Sequence, residues 1–131
     1  METPVRTVLF ICEHGSAKSV VAAAHFNRLA AEHGLDLRAI SRGTAPDDAL
    51  HPAAVAGLAS DGLAPAGDPV LLSDHDLADA TRIVAFSLLP VTFRTPENVE
   101  IWEVPAVSED YRRSRSAILA KLHQLLADIR E

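Results

Sequence analysis

The chain has a single cysteine, Cys12, so no internal disulfide can form and no second thiol is present to resolve one. Lysine is nearly as scarce: of twelve basic residues only Lys18 and Lys121 are lysines, and the chain otherwise uses arginine. Charge of one sign is not gathered anywhere. The net charge is −6 with acids and bases interspersed, which argues against a general nucleic-acid or anionic-membrane surface and leaves room only for a local cationic pocket. No apolar run approaches the ~18 residues of a membrane-spanning helix. The opening "METPVRTVLFICEHG" has too short an apolar segment for a signal peptide and no small-residue cleavage site, so the expected location is the cytoplasm. Internal repeats, low-complexity tracts and interdomain linkers are missing as well. What is present is 131 residues, 48% of them hydrophobic, enough for a real core and too few for two domains; one domain over residues 1–131 is expected.

Residues Val5 to Ile11 are nearly continuous apolar and rich in β-branched side chains, the pattern of a buried parallel strand. A helical period begins at Ser16 or Lys18 and runs to His33, with Gly34 suited to the position just past its end. A second strand is expected at Leu37 to Ser41. "APDDALHP" reads as a loop, and a short helix follows from about Pro52 to Ser60, stopped by Asp61-Gly62. Pro65, Gly67 and Pro69 mark an irregular connection. Ser73 with Asp76 fits an N-terminal capping arrangement loosely, for a helix ending near Ala80. Strands are expected at Arg82 to Phe86 and about Val99 to Val104. Asp110 to Glu131 carries Ile118, Leu122, Leu125 and Ile129 on one stripe, the mark of an amphipathic helix covering a sheet. Strands alternating with helices in a small domain predict an α/β fold: an open, mainly parallel sheet with helices on both faces.

In such folds ligands bind outside the carboxyl ends of the strands, and Cys12 stands at that end of the first one. Gly15, Ser16 and Ala17 let the backbone curl tightly before the helix, and a curled run of N–H groups opening a helix is an anion nest. The same donors and the helix dipole favour thiolate over thiol at Cys12. A lone cysteine at a strand end is ordinarily a small hydrophobe; the loop places this one at the rim of a helix N-terminus instead. Lys18, six positions on, can hold an oxyanion against the nucleophile, and Ser19 can hydrogen-bond the sulfur. His14 reads equally as a pocket wall or a solvated loop residue. Metal binding is poorly supported, because Cys12 and His14 are too close for structural-zinc spacing and no second ligand pair follows. Nor is the loop a Walker A, which needs GxxxxGK[ST].

The segment "CEHGSAKS", Cys12 to Ser19, resembles the Cys-x5-Arg-Ser loop of the low-molecular-weight protein-tyrosine phosphatase superfamily, particularly its arsenate-reductase-like members, where CVHNAGRS is a common form. The resemblance continues through "AAAHF", "SRGTAPDDALHPAAVAGLASDGL", "LSDHDLADATRIVAFS" and "IWEVPAVSEDY", in the family's order along most of the chain. It implies a four-stranded parallel sheet in the order 2-1-3-4. It further implies Cys12 as nucleophile, Ser19 as the group stabilising its thiolate, and the main-chain donors of Glu13, His14, Gly15, Ser16, Ala17 and Lys18 as an oxyanion cradle.

Three departures qualify what the resemblance implies. Lys18 replaces the arginine, offering a point charge where guanidinium offers a fixed fork; Arg42, at the end of the second strand, is either a substitute fork or a solvated surface residue. Ala106 and Val107 stand where the family's Asp-Pro supplies a proton to the leaving oxygen. Glu109 and Asp110 are the nearest acids, and Asp110 also suits the cap of the last helix. Trp102 and Tyr111 are either pocket walls or core. Finally, Ala17 stands where thioredoxin-coupled arsenate reductases carry a further cysteine, so an intramolecular disulfide relay is excluded. The expected activity is hydrolysis of a phosphomonoester, phosphotyrosine among the candidates, through a phosphocysteine. The alternatives are arsenate reduction with a small external thiol and a non-catalytic oxyanion-binding module. The expected partners are therefore a phosphate-like or arsenate oxyanion, with a small thiol reductant in the second case; no cofactor, nucleic acid or membrane is called for.

Overall fold

The computed structural model describes residues 6–130, so the expected strand start at Val5 and helix end at Glu131 lie outside the described residues. Four strands, β1 (Arg6–Cys12), β2 (Leu37–Gly43), β3 (Arg82–Ala85) and β4 (Glu100–Ile101), form one sheet in the order β2-β1-β3-β4. Every pairing in it is parallel. The helices are α1 (Lys18–Glu32), α2 (Pro52–Ser60), α3 (Asp74–Asp79) and α4 (Tyr111–Arg130). This is the open α/β architecture and the strand order expected.

The two-residue period of β1 sorts its side chains onto two faces. Val8 and Phe10 join the larger core with Val21, Phe26, Leu58, Ile118 and Leu122 from α1, α2 and α4. Leu9 and Ile11 point the other way, against Leu72, Leu77, Ile83 and Ala85, where α3 packs. Phe10 meets the rings of Phe26 and Trp102 with centroids 5.9 and 5.8 Å apart, in tilted and edge-on contacts. The edge strand β2 is pinned by Asn27 of α1, whose Oδ1 accepts from Ala39 N–H at 2.7 Å while its Nδ2 donates to Ala39 O at 3.2 Å.

Two boundaries differ from expectation by more than one residue. β2 runs on to Gly43, because the end of β1 and the 70–72 segment flank it on either side. β4 is only two residues long. Its partner β3 is itself short, Trp102 turns its ring into the core after donating its N–H to Ala85 O, and Pro105 cannot donate to a ladder at all. At the start of α3 the capping arrangement is complete: Asp76 N–H donates to Ser73 Oγ and Ser73 N–H to Asp76 Oδ2, each at 3.1 Å. A shorter acid than the usual Glu suffices there.

Candidate functional site

The loop from Glu13 to Ala17 joins β1 to α1 at the carboxyl edge of the sheet. Its shape follows from two glycines in contact. Gly15 has φ +60°, a left-handed conformation open to glycine at little cost, and it lies against Gly43 at the end of β2. A Cβ on either residue would fall within 3.0 Å of the other's backbone. The loop's carbonyls are then tied down from outside: Thr44, Ala45, Asp47 and His51 donate their N–H groups to the oxygens of Cys12, Glu13, His14 and Ser16, at 2.8–3.2 Å. Its N–H groups are not so used. Among the described residues, no backbone carbonyl accepts from the N–H groups of Glu13 to Ala17. Helix α1 continues the pattern, since Ala17 caps it without a side-chain hydrogen bond and its first turn contains no acid. A row of unbonded donors leading into a positive helix terminus favours negative charge.

These groups line a cavity of about 290 Å³, at the small end of ligand pockets. Cys12 lies on it, partly buried, with Sγ 2.9 Å from Oγ of the fully buried Ser19. Lys18 lines it too and makes no ion pair with a carboxylate among the described residues. Phe86, Ser87 and residues 106–108 also line it. The structure therefore brings Cys12, Glu13, His14, Ser16, Ala17 and Lys18 to one cavity, with Ser19 behind the sulfur and Gly15 shaping the turn.

Three expected participants are elsewhere. Arg42 points to the sheet face that carries α3, where its Nε donates to Asp76 Oδ2 at 3.1 Å and its Nη1 to Ser41 O at 2.8 Å. It replaces no fork at the loop. Asp110 begins α4, accepting from Arg113 N–H at 3.1 Å, and the exposed Glu109 does not line the cavity. Trp102 is core and Tyr111 is not a pocket wall. The Tyr111 hydroxyl donates to Asp61 Oδ2 at 2.6 Å and lies 3.2 Å from His25 Nε2. Arg115 Nη1 is 2.7 Å from the other Asp61 oxygen. Burial alone would raise the Asp61 carboxyl, but the Tyr111 hydroxyl and Arg115 outweigh it and hold it below its ordinary range. Burial, with the Asp61 bond added to it, pushes the Tyr111 phenol well up. This cluster fastens α1, α2 and α4 together behind the site.

Sequence reasoning missed two titratable cavity residues, Asp47 and His51. Asp47 Oδ2 accepts from the buried Ser16 hydroxyl at 2.9 Å, and its Oδ1 lies 3.2 Å from His14 Nδ1. His51 caps α2, its Nδ1 accepting from Ala53 N–H at 3.1 Å. Both come from the segment whose N–H groups bind the loop's carbonyls, a long-range pairing with no local periodicity to announce it. Among the described residues no three His, Cys, Asp or Glu side chains gather to hold a metal ion, and no helix is long and apolar enough to cross a membrane.

Residues 7–87 match the family model described as low molecular weight phosphotyrosine protein phosphatase, and the chain belongs to that family. No curated protein shows significant sequence similarity to it. Among solved structures, YfkJ from Bacillus subtilis is 22% identical, with a TM-score of 0.84 over 99% of this chain and 98% of that one. An arsenate reductase from Archaeoglobus fulgidus is 27% identical, with a TM-score of 0.77 over 92% and 98% of the two chains. A YwlE mutant from Bacillus subtilis is 19% identical, with a TM-score of 0.83 over 96% and 99%.

Proposed function

We propose that this protein hydrolyses phosphomonoesters by transferring the phosphoryl group to Cys12. The observation that carries the reading is the sulfur placed 2.9 Å from Ser19 Oγ on a cavity shared with Lys18 and a loop of unused N–H donors. In the first step the Cys12 thiolate attacks phosphorus, the S–P bond forms and the P–O bond to the leaving group breaks. The main-chain donors and the Lys18 ammonium hold the three non-bridging oxygens as charge builds on them. The Ser19 hydroxyl stabilises the thiolate before attack and when it leaves again. In the second step water attacks the phosphocysteine, releasing phosphate and restoring the thiolate. A point charge in place of a guanidinium fork gives electrostatic holding with less orientation, so we expect activity below that of a Lys18→Arg variant on the same ester.

One observation favours a second reading. Residues 106–108, which line the cavity, are Ala106, Val107 and Ser108, so that stretch offers no carboxyl group to a leaving oxygen. Arsenate reduction asks less of such a group: a Cys12–arsenate adduct would be resolved by a small external thiol, which supplies the electrons. The Archaeoglobus fulgidus relative is described as an arsenate reductase. Parallel turnover of an aryl phosphate, and of arsenate with several small thiols, on the wild type and Cys12→Ser decides between them. Aryl phosphate turnover abolished by Cys12→Ser is the expected result. Thiol-dependent arsenate loss alone selects the second reading. Phosphate binding without either turnover leaves an oxyanion-binding module.

A further inference from the structure

We propose that His14, with Asp47 beside it, is the catalytic proton donor to the leaving-group oxygen, a role that residues 106–108, without a carboxyl group, cannot fill. The proposal rests on the hydrolytic reading above. An ester oxygen leaving as an alkoxide or phenoxide needs a proton, and a placed donor is worth about 10²–10⁴ in rate.

Elimination among the cavity's titratable groups points to the imidazole. Cys12 is the nucleophile and Lys18 the clamp. Asp47 has both oxygens engaged, Oδ2 as acceptor from the Ser16 hydroxyl at 2.9 Å and Oδ1 at 3.2 Å from His14 Nδ1. His51 receives the Ala53 N–H on Nδ1 at 3.1 Å, so its only ring proton is on Nε2, and giving that up would leave an imidazolate. Glu13 lines the cavity with its side chain 68% exposed and no group fixing it beyond a 3.8 Å approach to His14 Nε2. His14 differs from all of these. At 58% side-chain exposure it is little more buried than Glu13, but its Nδ1 lies within ion-pair distance of Asp47 Oδ1 at 3.2 Å, Asp47 accepts from a serine that is only 3% exposed, and its Nε2 is 3.8 Å from the nearest described carboxylate. The series Ser16–Asp47–His14 thus runs from a buried anchor to a ring whose second nitrogen is available.

The proton balance closes. As the S–P bond forms and the P–O bond breaks, the proton on Nε2 of the His14 imidazolium passes to the departing oxygen and the alcohol or phenol leaves neutral. In the second step the neutral Nε2 takes a proton from the attacking water as its oxygen bonds to phosphorus and the thiolate departs. The imidazolium is restored and one water is consumed per ester.

The test is the dependence of kcat/KM on the leaving group, which a merely structural role does not move selectively. Phenyl phosphate needs the acid and 2,4-dinitrophenyl phosphate does not. For His14→Gln we expect phenyl phosphate turnover to fall about 10²-fold while the dinitrophenyl ester changes little, and Asp47→Asn should show the same split more weakly. Protection of Cys12 from alkylation by inorganic phosphate should persist in both variants, showing the loop intact. Equal losses on the two esters, no loss on either, or the split appearing in Glu13→Gln in place of His14→Gln overturns the proposal while leaving hydrolysis at Cys12 standing. A wild type that turns over neither ester overturns the hydrolytic reading and this proposal with it.

Discussion

Gly43 is remote from Cys12 in the sequence, yet it packs against the loop that follows Cys12, and Gly43→Ala measures how rigid that support is. A Cβ there would lie 2.7 Å from Gly15 N and 2.9 Å from the His14 carbonyl carbon, both backbone atoms that cannot rotate away. Reaching ordinary contact at 3.4 Å requires a displacement of about 0.7 Å. Gly43 cannot supply it cheaply, because its N–H donates to Val70 O at 2.9 Å and its carbonyl accepts from Leu72 N–H at 2.8 Å. The loop moves instead, and with it the N–H groups of His14 and Gly15. Losing one well-directed donor to a charged oxygen costs about 1.5–3 kcal/mol, so phosphate should bind about 10- to 100-fold more weakly. Overpacking should also cost the fold about 1–3 kcal/mol. The assay is protection of Cys12 from iodoacetamide by inorganic phosphate, read at one site because the chain has one cysteine. Undiminished protection with unchanged stability in urea would refute the argument that contact between the two glycines sets the loop.

Three further outcomes follow from the same packing. Gly57→Ala should destabilise by about 2–4 kcal/mol in urea denaturation, since the new methyl would overlap the Tyr111 ring and loosen its bond to Asp61; a gain of about 1 kcal/mol, the helix-propensity expectation, would contradict this. Asn27→Ala should cost about 1–3 kcal/mol and raise amide exchange at Ala39 first, because both Ala39 backbone groups lose their partner. His25 is held below its ordinary value of 6.5, first by burial and then by Arg28 and Arg115, against the pull of Asp61. Its Nδ1 has no hydrogen-bond partner among the described residues, so a proton there would be buried unpaired. A depressed histidine gives stability that is full above the unfolded value and is lost as pH falls below 6.5 toward the folded value. Tm should therefore drop on acidification from pH ~7 through that window, and His25→Gln should flatten the slope even if it lowers Tm throughout.

The parts of this architecture that local patterns carry were legible before the coordinates. β1 showed as an apolar β-branched run, α1 and α4 as stripes, and the Cys12–Ser19 pair as a loop whose partners sit within one turn of a helix. Asp110 at the start of α4 was readable as a cap for the same reason. What depends on chain segments meeting at a distance was not legible. Asp47 and His51 reach the cavity only because residues 44–51 donate to the loop's carbonyls. Arg42, at the end of β2, reads in the sequence as either a substitute fork or a surface residue; alternation along the strand turns it to the α3 face, where the carboxylate of the Ser73–Asp76 capping box holds it. The brevity of β4 depends on the equal brevity of β3 and on where Trp102 finds its ring contacts, neither of which a propensity reports.

The shape of the site follows from backbone more than from side chains. Two touching glycines set the turn, four external N–H groups occupy its carbonyls, and its own N–H groups are left without a backbone acceptor in a loop that shares a cavity with a sulfur and a lysine.

The central claim is that Cys12 carries the phosphoryl group during turnover. Rapid acid quench of the wild type turning over an aryl phosphate, followed by mass spectrometry of the intact chain and of the peptide containing Cys12, tests it most directly. One phosphoryl group on Cys12, appearing within the first turnover and absent from Cys12→Ser, is the predicted result. Turnover that proceeds with no phosphorylated Cys12, and that survives Cys12→Ser, would contradict it.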